Sequence, residues 1–430
     1  MRAAICALML LLALPAAAGA RLEVSVLARM PGAIPSDALV AADGTIYAGT
    51  FKPFLGGSDN GPSKVFAYAR DGRLERTYAV SGQTPGASHG VQVAATDRDG
   101  LLYLLDQDPA RIVRLDPTSG AQSTWATFAS VGGGAPEPDF AAWGPDGSLY
   151  VTDFAQFVIW RVPPGGGPAQ VWLSDSRLNG IIVGPAGIEL MPDGHTLMLS
   201  TGGGGTNPTT GKLYTLPIRA DGSPGALHQV WESAPLEAPD GFAIAQSGDV
   251  YMALVGPLAN AMIELSPRYE EIARVPANPL ANQAMPVPMD APGSVTFLGD
   301  HVIVANASSI VGDSAHMALL DVAVGEAGLP LAPPPATTYK LRVAPARPRA
   351  GRRTRFSFTA TLAAGGGPTE AAAGAKVRFG GRSAVTNAAG RASIRTTLHR
   401  AGRRYRATLA VGGRIVANAT VTTRRAAAKP

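Results

Sequence analysis

The sequence predicts an all-β protein: a six-bladed β-propeller followed by an immunoglobulin-like β-sandwich. Three observations predict it. A turn pair followed by a short apolar strand recurs six times at intervals of 47 to 56 residues, which suits one four-stranded blade with its loops. Glycine (51 residues) and proline (36 residues) are spread through the whole chain, where they break helices and supply turns. Beyond a proline-rich stretch the pattern changes to alternating strands separated by turn residues about every ten positions.

Taken from the start, the first element is a targeting segment. Arg2 supplies a positive start, Ile5 to Leu14 an apolar run, and Ala18-Gly19-Ala20 a small-residue cleavage pattern. The run is too short to span a bilayer, so residues 1–20 read as a signal peptide, the mature chain begins at Arg21, and the protein is expected to be secreted. No later stretch is apolar for long enough to form a transmembrane segment. Cys6 is the only cysteine and leaves with the signal, which excludes disulfides, thiol nucleophiles and thiolate metal sites from the mature chain.

The propeller is assigned to residues 21–328. Three clear repeats begin at Asp43-Gly44, Asp99-Gly100 and Asp146-Gly147, each followed by an apolar strand carrying a tyrosine. Three looser copies begin at Asp193-Gly194, Ser247-Gly248 and Gly299-Asp300. The turn pair joins two antiparallel strands, and a further strand ends at another turn, as in Val158 to Val162 before Pro163-Pro164-Gly165. Leu22 to Leu27 alternates apolar and polar residues ahead of the first repeat and is expected to add a strand to the last blade, closing the ring. Trp143 and Trp160 read as packing residues between blades, and Asp106 and Asp153 as turn-capping groups.

Residues 329–338 form a stiff proline-rich linker, 339–425 the sandwich and 426–430 a tail. Charge divides sharply at this boundary. From Thr338 onward there are 20 Lys and Arg against one acid, Glu370, which leaves 17 (37 − 20) against 31 (32 − 1) in the rest. The propeller is therefore acidic and the second domain strongly basic. With an export signal ahead of it, that basic domain points to an anionic cell-envelope polymer rather than to nucleic acid. The stretch from Asn387 to Arg395, followed by Ala401 to Leu409, resembles bacterial immunoglobulin-like surface modules, which implies a stalk or adhesive spacer.

Chemistry in a propeller sits where the innermost strands begin, at one mouth of the axial channel. The equivalent positions in the six repeats are Ser36, Gln92 (with His89 just upstream), Asp139, Ala186, Asp240 and Gly293, and five of them follow a proline. Two are carboxylates. Converging acids repel one another and rise in pKa unless a cation lies between them. Such oxygen ligands suit calcium or magnesium, and calcium tolerates irregular geometry better. The alternative is that Asp139 and Asp240 merely cap strand ends.

The run Pro239-Asp240-Gly241-Phe242-Ala243-Ile244, followed by Gly248-Asp249-Val250-Tyr251-Met252-Ala253, resembles the aspartate-bearing blade of the regucalcin/gluconolactonase (senescence-marker-protein-like) family, and Pro292 to Phe297 resembles its last blade. The resemblance implies a six-bladed lactonase that holds a divalent cation through a glutamate, an asparagine and an aspartate. By position the metal-binding aspartate falls on Asp240, and the substrate-side asparagine on Asp139. The glutamate position holds Ser36 with Asp37 adjacent, the metal-binding asparagine has become Ala186, and a substrate-binding arginine falls on Glu137. A rebuilt site would take Asp139, Asp240 and Asp37 as metal ligands, Asp240 as the group activating water, and His89, Gln92 and Glu137 toward substrate. Two functions follow: a secreted metal-dependent hydrolase of lactones or related esters, or a non-catalytic propeller binding a small molecule or polymer at the envelope.

Other motifs lead nowhere. Gly86-Ala87-Ser88-His89-Gly90 matches a nucleophile elbow, but that motif needs a helix after it and here a strand pattern follows. Gly202 to Gly205 lacks the Lys-Ser/Thr of a phosphate cradle and reads as a loop of the fourth blade.

Overall fold

The computed structural model describes residues 21–30, 32–52, 62–87, 90–180, 183–205, 207–256, 259–330, 334–364, 369–411 and 414–425. The expected signal segment 1–20, the tail 426–430 and the pair Ser88-His89 lie outside the described residues.

Each repeat folds into a four-stranded antiparallel array whose strands run from the centre outward, and Gly167–Pro168 of the third repeat adds a short parallel strand to the outer edge of the second. The inner strands are Pro35–Val40, Val91–Thr96, Pro138–Trp143, Pro185–Leu190, Pro239–Ile244 and Pro292–Leu298. Each packs against the inner strand of the next blade, and the sixth packs against the first, so the ring is closed. Val24–Arg29 pairs with Ala318–Ala323 as the outermost strand of the sixth blade. The last sheet is thus built from both ends of the domain, which leaves the ring no seam that can peel open without breaking a ladder.

The turn glycines Gly44, Gly100, Gly147, Gly194, Gly248 and Gly299 all have positive φ, between 67° and 95°. Only glycine takes that conformation without steric cost, which is why the pair marks every inner hairpin. Between blades the cores are aromatic and aliphatic. Tyr103 and Trp125 of the second blade meet Trp143 of the third edge-to-face at 5.1 and 5.8 Å, and the Trp143 indole donates to the Thr96 carbonyl at 2.9 Å. Rings of this kind stabilise the blade contact by about 0.5–1.5 kcal/mol per pair beyond the area they bury.

The second domain is a sandwich of two four-stranded sheets. Phe356 and Phe358 from one sheet meet Phe379 from the other at 4.8 and 5.6 Å in a shared core with Val377, Leu409 and Val421. Its one acid reaches the propeller: Arg161 of the third blade bridges Asp146 at 2.7 Å and Glu370 at 2.5 Å. Arg98 also donates to the Pro334 carbonyl at 2.9 Å.

Candidate functional site at the channel mouth

Every inner strand carries a bulge. In the first blade Pro35 pairs with Thr50 and Ala38 with Ala48, so Ser36 and Asp37 together oppose Gly49. The same two-against-one register places Asp139 and Phe140 opposite Thr152, Ala186 and Gly187 opposite Ser200, and Asp240 and Gly241 opposite Ala253. Proline opens each of these strands, at the one ladder position where a missing N–H is harmless. The bulge then re-aims the following side chain, here toward the axis. Around one pore, Ser36, Asp139, Asp240 and Gly293 at their bulges and Gln92, which lies ahead of its own strand's bulge, reach the wall of a single cavity.

That cavity has a volume of about 100 Å³. Asp139 is buried, and its Oδ1 accepts from Gln92 Nε2 at 2.6 Å, while Gln92 Oε1 is buried without a partner. Burial above all, with the charges of Asp153, Asp37 and Glu137 adding to it, pushes the Asp139 carboxyl up to about 8 against the opposing pull of the Gln92 bond. Asp240 is partly exposed to the cavity. Its carboxyl is held well above the ordinary range by desolvation and by the neighbouring charge of Asp139. Gly293 leaves room beside it, since a Cβ there would stand 3.7 Å from Asp240 Oδ2. The Asp240 backbone is held by the Ser200 hydroxyl, which donates to its carbonyl at 2.7 Å.

The other expected site residues fall elsewhere. Asp37 does not line the cavity: its Oδ1 accepts from the Ser36 hydroxyl at 2.9 Å and from the Gly49 N–H at 3.2 Å. Burial nonetheless raises its carboxyl to about 7. These bonds anchor the bulge, and the charge of Asp37 bears on Asp139. Glu137 is engaged by Lys52 at 3.0 Å, an ion pair reaching from the first blade to the third, and it too lies off the cavity wall. His89 lies outside the described residues. The turn-capping reading of Asp153 holds, with its Oδ1 accepting from the N–H groups of Glu137, Ala155 and Gln156. Asp106 accepts from the backbone of Asp108 two residues on, is ion-paired with Arg111 at 2.9 Å and accepts from Gln83 at 2.7 Å.

Sequence reasoning missed the wall above the carboxyls. The residue following the second strand of a blade is Phe51, Phe154, Val255 and Ala307 in blades one, three, five and six, and all four line the cavity. The recurrence of an apolar residue just past the second strand of these four blades was a readable signal. Asp290 was also missed. It accepts from the Ser308 hydroxyl at 2.7 Å and pairs with His316 at 2.9 Å, fixing the loop that carries Ala307 and Ile310. A second acidic group, Asp249, Glu264 and Glu326, lies toward the opposite end of the fifth blade. There Arg21 pairs with Glu264, and the Tyr251 hydroxyl donates to Glu326 at 2.6 Å.

No family model matches the chain, and no curated protein matches it. Solved structures do. The chain is similar to the calcium-binding protein regucalcin from Agrobacterium tumefaciens, at 16% identity and a TM-score of 0.52, over 73% of this chain and 97% of that one. That likeness establishes the propeller fold. Virginiamycin B lyase from Staphylococcus aureus matches at 14% identity and a TM-score of 0.45, over 70% of this chain and 99% of that one. A PQQ-bound aldose sugar dehydrogenase from Streptomyces coelicolor matches at 16% and 0.47, over 71% and 99%.

Proposed function

We propose that this protein is a secreted hydrolase of lactones or related esters, resembling the regucalcin/gluconolactonase family, with a divalent cation as its cofactor. One observation carries the reading: Asp139 and Asp240 share the wall of one cavity at the channel mouth, and each carboxyl is raised there. A buried acid and a partly exposed one, without a cationic partner among the cavity's described residues, suit a place built to receive positive charge.

The donor chemistry fits a hard cation. Asp139, Asp240 and the orphaned Gln92 Oε1 are oxygen donors on one wall. They are too few to complete the shell of calcium, which would keep water or substrate oxygens as further ligands. When bound, such an ion polarises the substrate carbonyl. The chain's own residues do the rest. Gln92 holds Asp139 in place through its amide. Asp240, once ionised, takes a proton from water as the water oxygen bonds to the carbonyl carbon. The ring C–O bond then breaks, and Asp240 returns that proton to the departing alkoxide, so that lactone and water become one hydroxy acid.

The test is hydrolysis of a lactone panel with and without calcium. Asp240→Asn should lower kcat/KM by at least about a hundredfold, and calcium binding near neutral pH should release protons, seen as a buffer-dependent heat in calorimetry. Activity undiminished in Asp240→Asn would remove the assignment. The second reading, a non-catalytic binding propeller, is favoured by Ala186 and Gly293 at positions where oxygen ligands would complete the ring.

For the immunoglobulin-like sandwich we propose attachment to an anionic envelope polymer. Arg355 stands directly opposite Arg395 across two strands, and Arg342 and Arg391 flank Thr359 in the next row but one. Like charges facing each other destabilise a ladder unless an anion covers them. Retention on an anionic polymer should fall steeply with salt and fall further in Arg355→Ser/Arg395→Ser. Retention indifferent to salt would remove the idea.

A further inference from the structure

Resting on the hydrolase reading, we propose that the substrate is an apolar lactone, a small ring carrying an alkyl or aryl substituent, and not a polyhydroxylated sugar lactone. The argument is the cavity wall. Its carboxyls stand at the starts of the inner strands, while the residues past the second strands rise above them. Pro35 pairs with Thr50, Pro138 with Asp153, Pro239 with Leu254 and Pro292 with Asn306. The next residue along the outer member of each pair is therefore set just above the strand start. Those residues are Phe51, Phe154, Val255 and Ala307, and Val183 and Ile310 fill the gaps between them.

A sugar lactone presents several hydroxyls, and each one buried without a partner costs about 1–3 kcal/mol. No described residue lining the cavity is Arg, Lys, His, Asn, Thr or Tyr. Two of its few polar groups are already committed: the Ser36 hydroxyl donates to the Val91 carbonyl at 2.7 Å, and the Gln92 amide donates to Asp139. At about 100 Å³ the space approaches that of an apolar cavity known to admit a benzene-sized ring. A five- or six-membered lactone fits with its carbonyl toward the carboxyls and its substituent along the apolar collar toward solvent. Lys52 and Glu137 neutralise each other nearby, so an anionic or cationic substituent gains nothing there.

The experiment compares gluconolactone with a series of δ-lactones bearing side chains of increasing length, in turnover and in calorimetric binding of the matching unreactive cyclic ketones. Each methylene buried by the collar should tighten binding about fourfold, and Phe154→Ser should flatten that dependence without abolishing binding of the unsubstituted ring. Ketones that bind with this dependence while no lactone is hydrolysed would sink the hydrolase reading and leave the ligand class standing. Preference for gluconolactone, binding independent of chain length, or no binding of either series would overturn the inference.

Discussion

Two carboxyls that would each be unremarkable on a surface acquire their chemistry from where they are placed. Asp139 titrates near 8 in the folded chain because it is out of water and faces other acids, against about 3.9 when unfolded. A carboxyl raised on folding holds its proton more tightly in the native state. The stability that depends on it is complete below about pH 4 and is lost as pH rises through about 8. The metal-free protein should therefore melt at progressively lower temperature across that window, and Asp139→Asn should make the decline shallower. It should not abolish it, because Asp37 is raised to about 7 and Glu189, on the inner strand of the fourth blade, to about 8 by the same desolvation. Thermal melts in chelator across the pH range check this. An unchanged slope in the variant would show that Asp139 is not held out of water. Sequence position singled out Asp139, Asp240 and Asp37. The pKa shift of Glu189 could not be read there, since it depends on burial against a neighbouring blade.

At the level of the strand and loop, the decisive device is the bulge, and its tight packing makes it vulnerable. Gly49 faces the bulge of the first blade, where an added Cβ would come within 2.1 Å of the Val91 carbonyl oxygen and 2.8 Å of the Ser36 hydroxyl. Gly49→Ala must push the first blade off the second, at a cost of at least about 1–3 kcal/mol, and calorimetry should record a lowered Tm together with weakened calcium binding. The sixth-blade loop offers a milder test. Asp290→Ala removes the acceptor shared by Ser308 and His316. It should raise KM for the longest lactone more than it lowers kcat, because Ile310 loses its support while the carboxyls keep theirs. The inner strands themselves were legible from proline and from the spacing of the turn pair. The bulges were not, for an extra residue in a strand leaves no mark on composition.

Across the whole molecule the two ends of the channel serve different ends. The cavity opens where inner strands begin, whereas the second domain meets the far side of the third blade: a Cβ on the turn residue Gly147 would lie 2.6 Å from the Ala364 side chain. A six-residue strand separates the two faces by about 20 Å, so the basic domain leaves the mouth unobstructed. Glu370, the single acid in the C-terminal segment, is engaged by Arg161 in this contact. Glu370→Gln should loosen the docking, increase cleavage between residues 329 and 338 in limited proteolysis, and leave lactone turnover unchanged. Cleavage at the wild-type rate would mean that the domains are held by other contacts.

What the chain determined by itself is the part written in local physics. A glycine that must turn left recurs in all six blades, a proline that must start a strand in five and a tyrosine that must be covered in four, and each works within a few residues of its neighbours, so the blades and the closing N-terminal strand could be read in advance. The cavity belongs to tertiary structure. Whether acids from the third and fifth blades share one wall depends on ring closure and on bulges that turn side chains toward the axis. Their protonation depends on how much water the surrounding blades exclude, and no single segment of sequence carries either quantity.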